Sequence, residues 1–313
     1  FSLQRMRLLA LLVLFISLNV GSTSLCGLRK NSKFNGARFR RHIIGGNKVA
    51  NVGDWPWQVA VQVFNSTLSS ICGGTVIADR WILTAAHCAN KQCREGFTYR
   101  IAAGTLKALV VDTSEQVVFI NVTRFYVHPE YESGAISESY MHNDIMLLEL
   151  ESALTFNEIV SPVCLPSRVQ TIPQDKIAVA IGYGQYEQPS FTNPVPSDGR
   201  LRETKISIIP RDACKTRLDA VNPKRIKFNI TEAHICAGSA GHGVFHGDSG
   251  GPLMMRAKDG RWFQFGIVSA GVDELILAQD LAPAIFANVV KFCNWIEETT
   301  MGEAKCEKEE VDF

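Results

Sequence analysis

The sequence predicts an all-β fold, a sandwich or a pair of barrels, carried by an exported chain. Three features point that way: short β-branched or aromatic runs punctuated by Gly, Pro, Asn and Asp, an apolar N-terminal segment bracketed by basic and small residues, and nine cysteines among 313 residues. Short strands at that frequency, each bounded by turn residues, form sheets that stack or close. With 46% hydrophobic and 20% charged residues the chain has enough apolar content to bury a core, which excludes extended disorder. Thirty-two basic against 31 acidic residues leave a formal charge of +1, so no global field draws the molecule to nucleic acid or to an anionic membrane.

Residues 1–25 read as a secretory signal: Arg5 and Arg7 precede the apolar run Leu8 to Leu18, and Gly21, Ser22, Thr23 and Ser24 follow it. The run is well short of the roughly 20 residues that cross a bilayer, and no second candidate span exists. Residues 26–42 form a basic leader with Arg29, Lys30, Lys33, Arg38, Arg40 and Arg41 and no periodicity, expected as an exposed, cuttable segment. Residues 43–300 hold the strands, expected at Trp57–Phe64, Gly74–Thr84, Val110–Val127, Ile145–Leu150, Ile177–Gly182, Lys205–Ile209, Phe263–Ser269 and Ala284–Val290. Gln185–Gly199, with three prolines, is expected as a surface loop. Only Ala287 to about Thr300 looks helical, through Val289, Val290, Cys293 and Ile296. Residues 301–313 close the chain as a charged tail.

In an exported chain the cysteines (26, 72, 88, 93, 164, 214, 236, 293 and 306) are expected to form disulfides, and the odd count leaves one over. No Cys-x-x-Cys pair occurs and the His residues lack ligand spacing, so neither a metal nor any other cofactor is expected. Sequons at Asn65, Asn121 and Asn229 fit the same compartment as glycosylation sites.

Three segments carry chemistry. Trp81 to Cys88 sets His87 at the end of an apolar strand, Asn143 to Leu148 sets Asp144 at the start of a buried one, and Gly247 to Pro252 sets Ser249 in a turn that glycines leave open. A hydroxyl becomes nucleophilic when a neighbouring imidazole takes its proton, and a carboxylate orients that ring and stabilises its charged form. The N–H groups of Gly247 and Ser249 can then converge on a developing oxyanion. Alone, each segment has a bland explanation as a structural His, a capping Asp or an ordinary turn. Their coincidence in the order His, Asp, Ser argues for a hydrolytic site.

From about Cys26 to Ile296 the chain resembles the chymotrypsin-like (trypsin-type) serine proteases. Further matches are Ile43-Ile44-Gly45-Gly46, Trp55-Pro56-Trp57-Gln58-Val59, Cys72-Gly73-Gly74-Thr75-Val76, Pro162-Val163-Cys164-Leu165-Pro166, Gly182-Tyr183-Gly184 and Gly266-Ile267-Val268-Ser269. The resemblance implies two six-stranded antiparallel β-barrels with a C-terminal helix, His87 and Asp144 on the first barrel and Ser249 on the second. It implies an endopeptidase acting through an acyl-enzyme, with polypeptide substrates, an activating protease and protein protease inhibitors as partners. It also implies the disulfides Cys72–Cys88, Cys214–Cys236 and Cys26–Cys164. It assigns no partner to Cys93, Cys293 or Cys306, among which a Cys93–Cys293 bridge tethering the terminal helix is one candidate.

Two departures matter. Phe245 stands where most members have a cysteine that staples the specificity pocket, with no partner in Leu275–Leu281, and Ala270 replaces a bulky aromatic. The pocket positions fall on Gly243 at the base, with Val244, Ser269, Gly271 and Ala284 around it, none of them charged. Cleavage after apolar residues such as Leu, Phe or Tyr is therefore expected, because a cation left unpaired in an apolar slot is strongly unfavourable. The resemblance further implies activation by a cut between His42 and Ile43, after which the new ammonium pairs with Asp248. The dibasic Arg40-Arg41 lies one residue upstream of that bond, so the two routes are a direct cut after His42 or a cut after Arg41 followed by removal of His42. The contrasting readings are a catalytically silent protease-like binding or regulatory protein, and a polyanion-binding factor using the basic run Arg29–Arg41.

Overall fold

A computed structural model of the chain describes residues 26–29, 46–65, 69–89, 97–109, 117–132, 141–187, 197–221, 229–272, 275 and 277–313. After the two-residue strand β1 (Asn47–Lys48), six strands form a first closed barrel: β2 (Gln58–Phe64), β3 (Ser69–Ala78), β4 (Trp81–Thr84), β5 (Thr98–Ala103), β6 (Val118–Val127) and β7 (Met146–Leu150). Their spatial order is β2-β3-β4-β7-β6-β5, closed by β2 on β5. Six more form the second: β8 (Ile177–Gly182), β9 (Arg202–Ile209), β10 (His234–Gly238), β11 (Pro252–Arg256), β12 (Trp262–Ala270) and β13 (Ala284–Asn288). Here the order is β9-β10-β13-β12-β11-β8, closed by β8 on β9, with β1 added outside β9. All described strand pairings are antiparallel.

Closure explains the sequence pattern. In β2 the alternating Val59, Val61 and Val63 are buried, and the intervening Gln62 is buried too, its Nε2 donating to Ala108 O at 2.7 Å. The barrels are joined through tryptophans. Trp57 Nε1 donates to Met254 Sδ of β11 at 2.9 Å, and Trp55 packs edge-on to Trp262 of β12 with centroids 4.8 Å apart. Such pairs add about 0.5–1.5 kcal/mol to the area they bury.

Several elements differ from expectation for physical reasons. The run Gly74–Thr84 is two strands, β3 and β4, split at the exposed Asp79-Arg80 turn. Strands β5, β10 and β11 were not anticipated, since β10 is His-Ile-Cys-Ala-Gly and β11 begins with Pro, both poor in β-branched residues. A second helix also appears, α1 (Arg211–Ala220). It starts after Pro210, buries only Cys214 and Leu218, four residues apart, and carries an i,i+4 Lys215–Asp219 pair. The anticipated terminal helix is one 3-10 turn (Val289–Phe292) continuing into α2 (Cys293–Thr299).

The disulfides are Cys26–Cys164, Cys72–Cys88, Cys214–Cys236 and Cys293–Cys306. The last corrects the Cys93–Cys293 candidate: α2 is tethered to the segment directly after it, with a loop of only 13 positions to close. Cys93 itself lies outside the described residues. The charged tail is docked, because Cys306 bridges to Leu165, Gln170 exchanges two hydrogen bonds with the Val311 backbone, and Phe313 packs on Phe263 and Phe265. Leader residues 26–29 are docked as well: Gly27 N donates to Pro162 O and Gly27 O accepts from Trp262 N, while the Arg29 guanidinium lies 3.9 Å over the Trp55 ring.

Candidate active site

Strand β4 ends at Thr84, and Ala86–Cys88 forms a single 3-10 turn that carries His87, held by the Cys72–Cys88 disulfide to β3. Asp144 sits just before β7, the neighbour of β4 in the barrel, and is 1% exposed. A carboxylate so buried is costly unless paired and hydrogen-bonded, and Asp144 has three donors. Its Oδ1 accepts from His87 N at 2.8 Å, and its Oδ2 lies 2.7 Å from His87 Nδ1 and accepts from Ser269 Oγ at 2.5 Å. Burial pushes the Asp144 pKa up, but the charge and hydrogen bonds of His87, with the Ser269 hydroxyl, outweigh it and hold the carboxyl below its ordinary value. For His87, burial pushes downward and Asp144 raises the imidazole above its ordinary value on balance. With Nδ1 tied to the carboxylate, Nε2 is the ring nitrogen left without a described hydrogen-bond partner.

Ser249 lies in the turn before β11, and this turn presses against the first barrel. Gly73 N donates to Ser249 O at 2.7 Å, and any side chain at Gly250 (φ +77°) would run into Thr84 Oγ1 and Gly73 O. A β-carbon on Gly250 would also lie 3.2 Å from Ala85 N, two residues before His87. The turn that carries Ser249 therefore abuts the strand end that carries His87. Among the described residues the Ser249 hydroxyl makes no hydrogen bond to His87 Nε2. Such bonds are often long in a free site and tighten around a reacting substrate. Gly247 has φ +94°, in the region that glycine alone enters freely. Neither its N–H nor that of Ser249 donates to another described group, which leaves both available to an oxyanion.

Asp248 is fully buried beneath this turn. Its Oδ1 accepts from Gly184 N at 2.8 Å and its Oδ2 from Phe245 N at 2.9 Å. Side chains at Gly182 or Gly184 would collide with the carboxylate, which accounts for the Gly182-Tyr183-Gly184 motif. Burial pushes the Asp248 pKa up to about 6 despite these amides and the charge of Arg202. His42 and Ile43 lie outside the described residues.

Of the anticipated pocket positions, Gly243, Val244, Ser269 and Ala284 are buried and Gly271 is exposed, with open space around it. Ser269 has a use that the sequence reading missed: its hydroxyl belongs to Asp144. No sequence signal separates a wall serine from a donor serine. Among the described residues two clusters have the composition of metal ligands, Cys72 with His87 and Cys88, and Cys26 with Cys164 and Glu307. In both, the sulfurs are bonded to each other, so the thiolates that a metal needs are not available. Asn121 and Asn229 are exposed and Asn65 is half-buried.

Two antiparallel barrels, with a buried Asp–His pair on one and a glycine-framed Ser turn from the other, define the class of two-barrel serine proteases. The family profile described as Trypsin matches residues 43–296, and the chain belongs to the trypsin family. It is similar to serine protease 28 of Mus musculus, 32% identical over 260 residues that cover 82% of this chain and 88% of that protein. It is also similar to ovochymase of Halocynthia roretzi, 29% identical over 280 residues that cover 88% of this chain but 16% of that much longer protein.

Proposed function

We propose that the protein is a secreted serine endopeptidase, made as a precursor, that hydrolyses polypeptides through an acyl-enzyme. Ser249 Oγ attacks the scissile carbonyl, His87 Nε2 takes the hydroxyl proton and later delivers it to the leaving amine, and Asp144 keeps the ring in the required tautomer. The Gly247 and Ser249 amides stabilise the oxyanion. A water then repeats the sequence to release the acid product. The observation that carries this reading is the His87–Asp144 pair, in which a carboxylate 1% exposed is satisfied by both the backbone and the ring of one histidine.

Asp248 supports the precursor. Folding moves its pKa from 3.8 to about 6, so the ionised form costs about 3 kcal/mol at neutral pH, using about 1.4 kcal/mol per pKa unit. An ammonium delivered by cleavage between His42 and Ile43 removes that cost and fixes the turn that presents Gly247. The Cys26–Cys164 disulfide keeps the leader attached after the cut. The uncharged Gly243, Val244, Gly271 and Ala284 favour apolar residues before the scissile bond. Three sequons, at Asn65, Asn121 and Asn229, and the disulfides suit an exported glycoprotein, whose expected partners are polypeptide substrates, an activating protease and protein protease inhibitors.

The test is covalent labelling of the processed chain by a serine-reactive peptide phosphonate. Wild type is expected to take up one phosphonyl group on the peptide containing Ser249, and Ser249→Ala none. Processed, folded wild type that stays unlabelled would instead support a silent binding protein.

A further inference from the structure

We propose that Gln279 supplies the floor of the specificity pocket and the link that holds it shut, an inference that rests on the endopeptidase reading above. Gly243, at the pocket base, has no side chain of its own. The space that its β-carbon would enter is filled by the Gln279 carboxamide: a side chain there would coincide with Oε1 and Cδ of Gln279. The carboxamide is bonded on both sides to the next residue. Its Oε1 accepts from Val244 N at 3.2 Å and its Nε2 donates to Val244 O at 2.7 Å.

Gln279 is 4% exposed, unusual for a glutamine, whose burial is tolerated only when its polar atoms find partners. Pairing with both backbone groups of one residue copies the paired bonds between two strand residues and fastens the carboxamide to the Gly243–Val244 segment. Main-chain contacts set it in place. Gly241 N donates to Leu277 O at 2.8 Å, Ala240 bridges to Ala278, and a β-carbon on Gly238 would meet Gln279 Cβ at 2.7 Å. Gly238 and Gly243 are thus the two bare positions between which Gln279 is seated.

The chemistry follows from the group. A carboxamide is neutral and offers no counter-charge to Lys or Arg. It also occupies the bottom of the slot, so the pocket takes a side chain of Leu or Met length better than a Phe or Tyr ring. Gln279→Ala should deepen the slot, and Gln279→Glu should place a carboxylate at its floor. A residue that merely braced the loop would change stability in both variants and leave selectivity alone.

The experiment has two arms on the processed chain. In the first, kcat/KM is measured on peptides that differ only in Leu, Phe or Lys before the scissile bond. Gln279→Ala is expected to raise the Phe-to-Leu ratio at least tenfold, within the range that one or two buried carbons control. Gln279→Glu is expected to raise cleavage after Lys by a similar factor. In the second, benzamidine binding is measured by calorimetry in the Ser249→Ala background, where no turnover is needed, and is expected at least tenfold tighter with Gln279→Glu than with Gln279. An unchanged ratio in the first arm together with equal amidine binding in the second would overturn the proposal. Tighter amidine binding with Gln279→Glu in the Ser249→Ala background, together with a processed Ser249 chain that phosphonate leaves unlabelled, would uphold Gln279 as the floor and overturn the endopeptidase reading alone.

Discussion

His87 and Asp144 hang from the ends of β4 and β7, adjacent strands of a closed barrel, and are fixed by a disulfide and by hydrogen bonds to each other. Gly243, Val244, Gly247 and Asp248 lie between β10 and β11, where Asp248 is bonded by Gly184 and by Phe245 of its own loop, and Val244 by Gln279. The Asp–His pair thus takes most of its geometry from the first barrel, with Ser269 of β12 adding one hydrogen bond to Asp144. The oxyanion and specificity half has less to hold it. Its buried Asp248 carboxylate has two backbone donors and, among the described residues, no ion-pair partner; the proposed activation supplies one as an ammonium.

The largest effect should come from the first half. Ser249→Ala or His87→Ala is expected to lower turnover by several orders of magnitude, and either one by about as much as both, because the residues act as a unit. Steady-state hydrolysis of a peptide substrate by the single and double variants checks this. Additive losses would separate the residues.

Asp248→Asn sharpens the contrast between the halves by acting differently on two forms. A carboxyl whose pKa is raised on folding contributes full stability below its ordinary value of 3.8 and loses it as the pH rises through about 6. In the full chain, wild-type stability to urea should fall as the pH rises from 5 to 8, and Asp248→Asn, which cannot ionise, should lose less over that range although its amide leaves one of the two backbone donors unpaired. In the processed chain it should cut kcat/KM at least a hundredfold, about 2.7 kcal/mol of transition-state stabilisation.

The smaller effects concern titration and Ser269. His87 has a raised pKa, so the stability from its charged form is complete below its ordinary value and lost as the pH rises through the raised one. Activity runs the other way, because the base must be neutral. The acid limb of kcat/KM against pH is expected to have a midpoint above about 6.5. Asp144 behaves as a lowered carboxyl, its stabilisation present above the ordinary carboxylate range and lost as the pH falls through the lowered value. Ser269→Ala removes a buried donor from that carboxylate and is expected to cost about 1–3 kcal/mol at pH 8 in thermal unfolding.

The parts of the molecule legible in the sequence are those where one residue type meets one physical demand. Val59, Val61 and Val63 alternate because a barrel wall requires it, and Gly250 stands where any side chain would strike Thr84. His87, Asp144 and Ser249 could be named because each sits in a motif whose neighbours are also constrained. What was not legible depends on distant partners. Strand β10 has weak propensity of its own and is stabilised by β9 and β13 on either side. Helix α1 buries two side chains and otherwise reads as a polar loop. Cys306 finds Cys293 because the tail folds back along Leu165, and Gln279 reaches Val244 across a turn; neither contact leaves a local pattern.

The division between a prebuilt base and an adjustable oxyanion turn is tested most directly by the phosphonate labelling rate of Ser249 in the full chain, in the chain cut before Ile43, and in the cut Asp248→Asn variant. The cut wild type should label at least a hundredfold faster than the full chain, and the cut variant should fall back to the full chain's rate. Equal rates in all three would contradict the account.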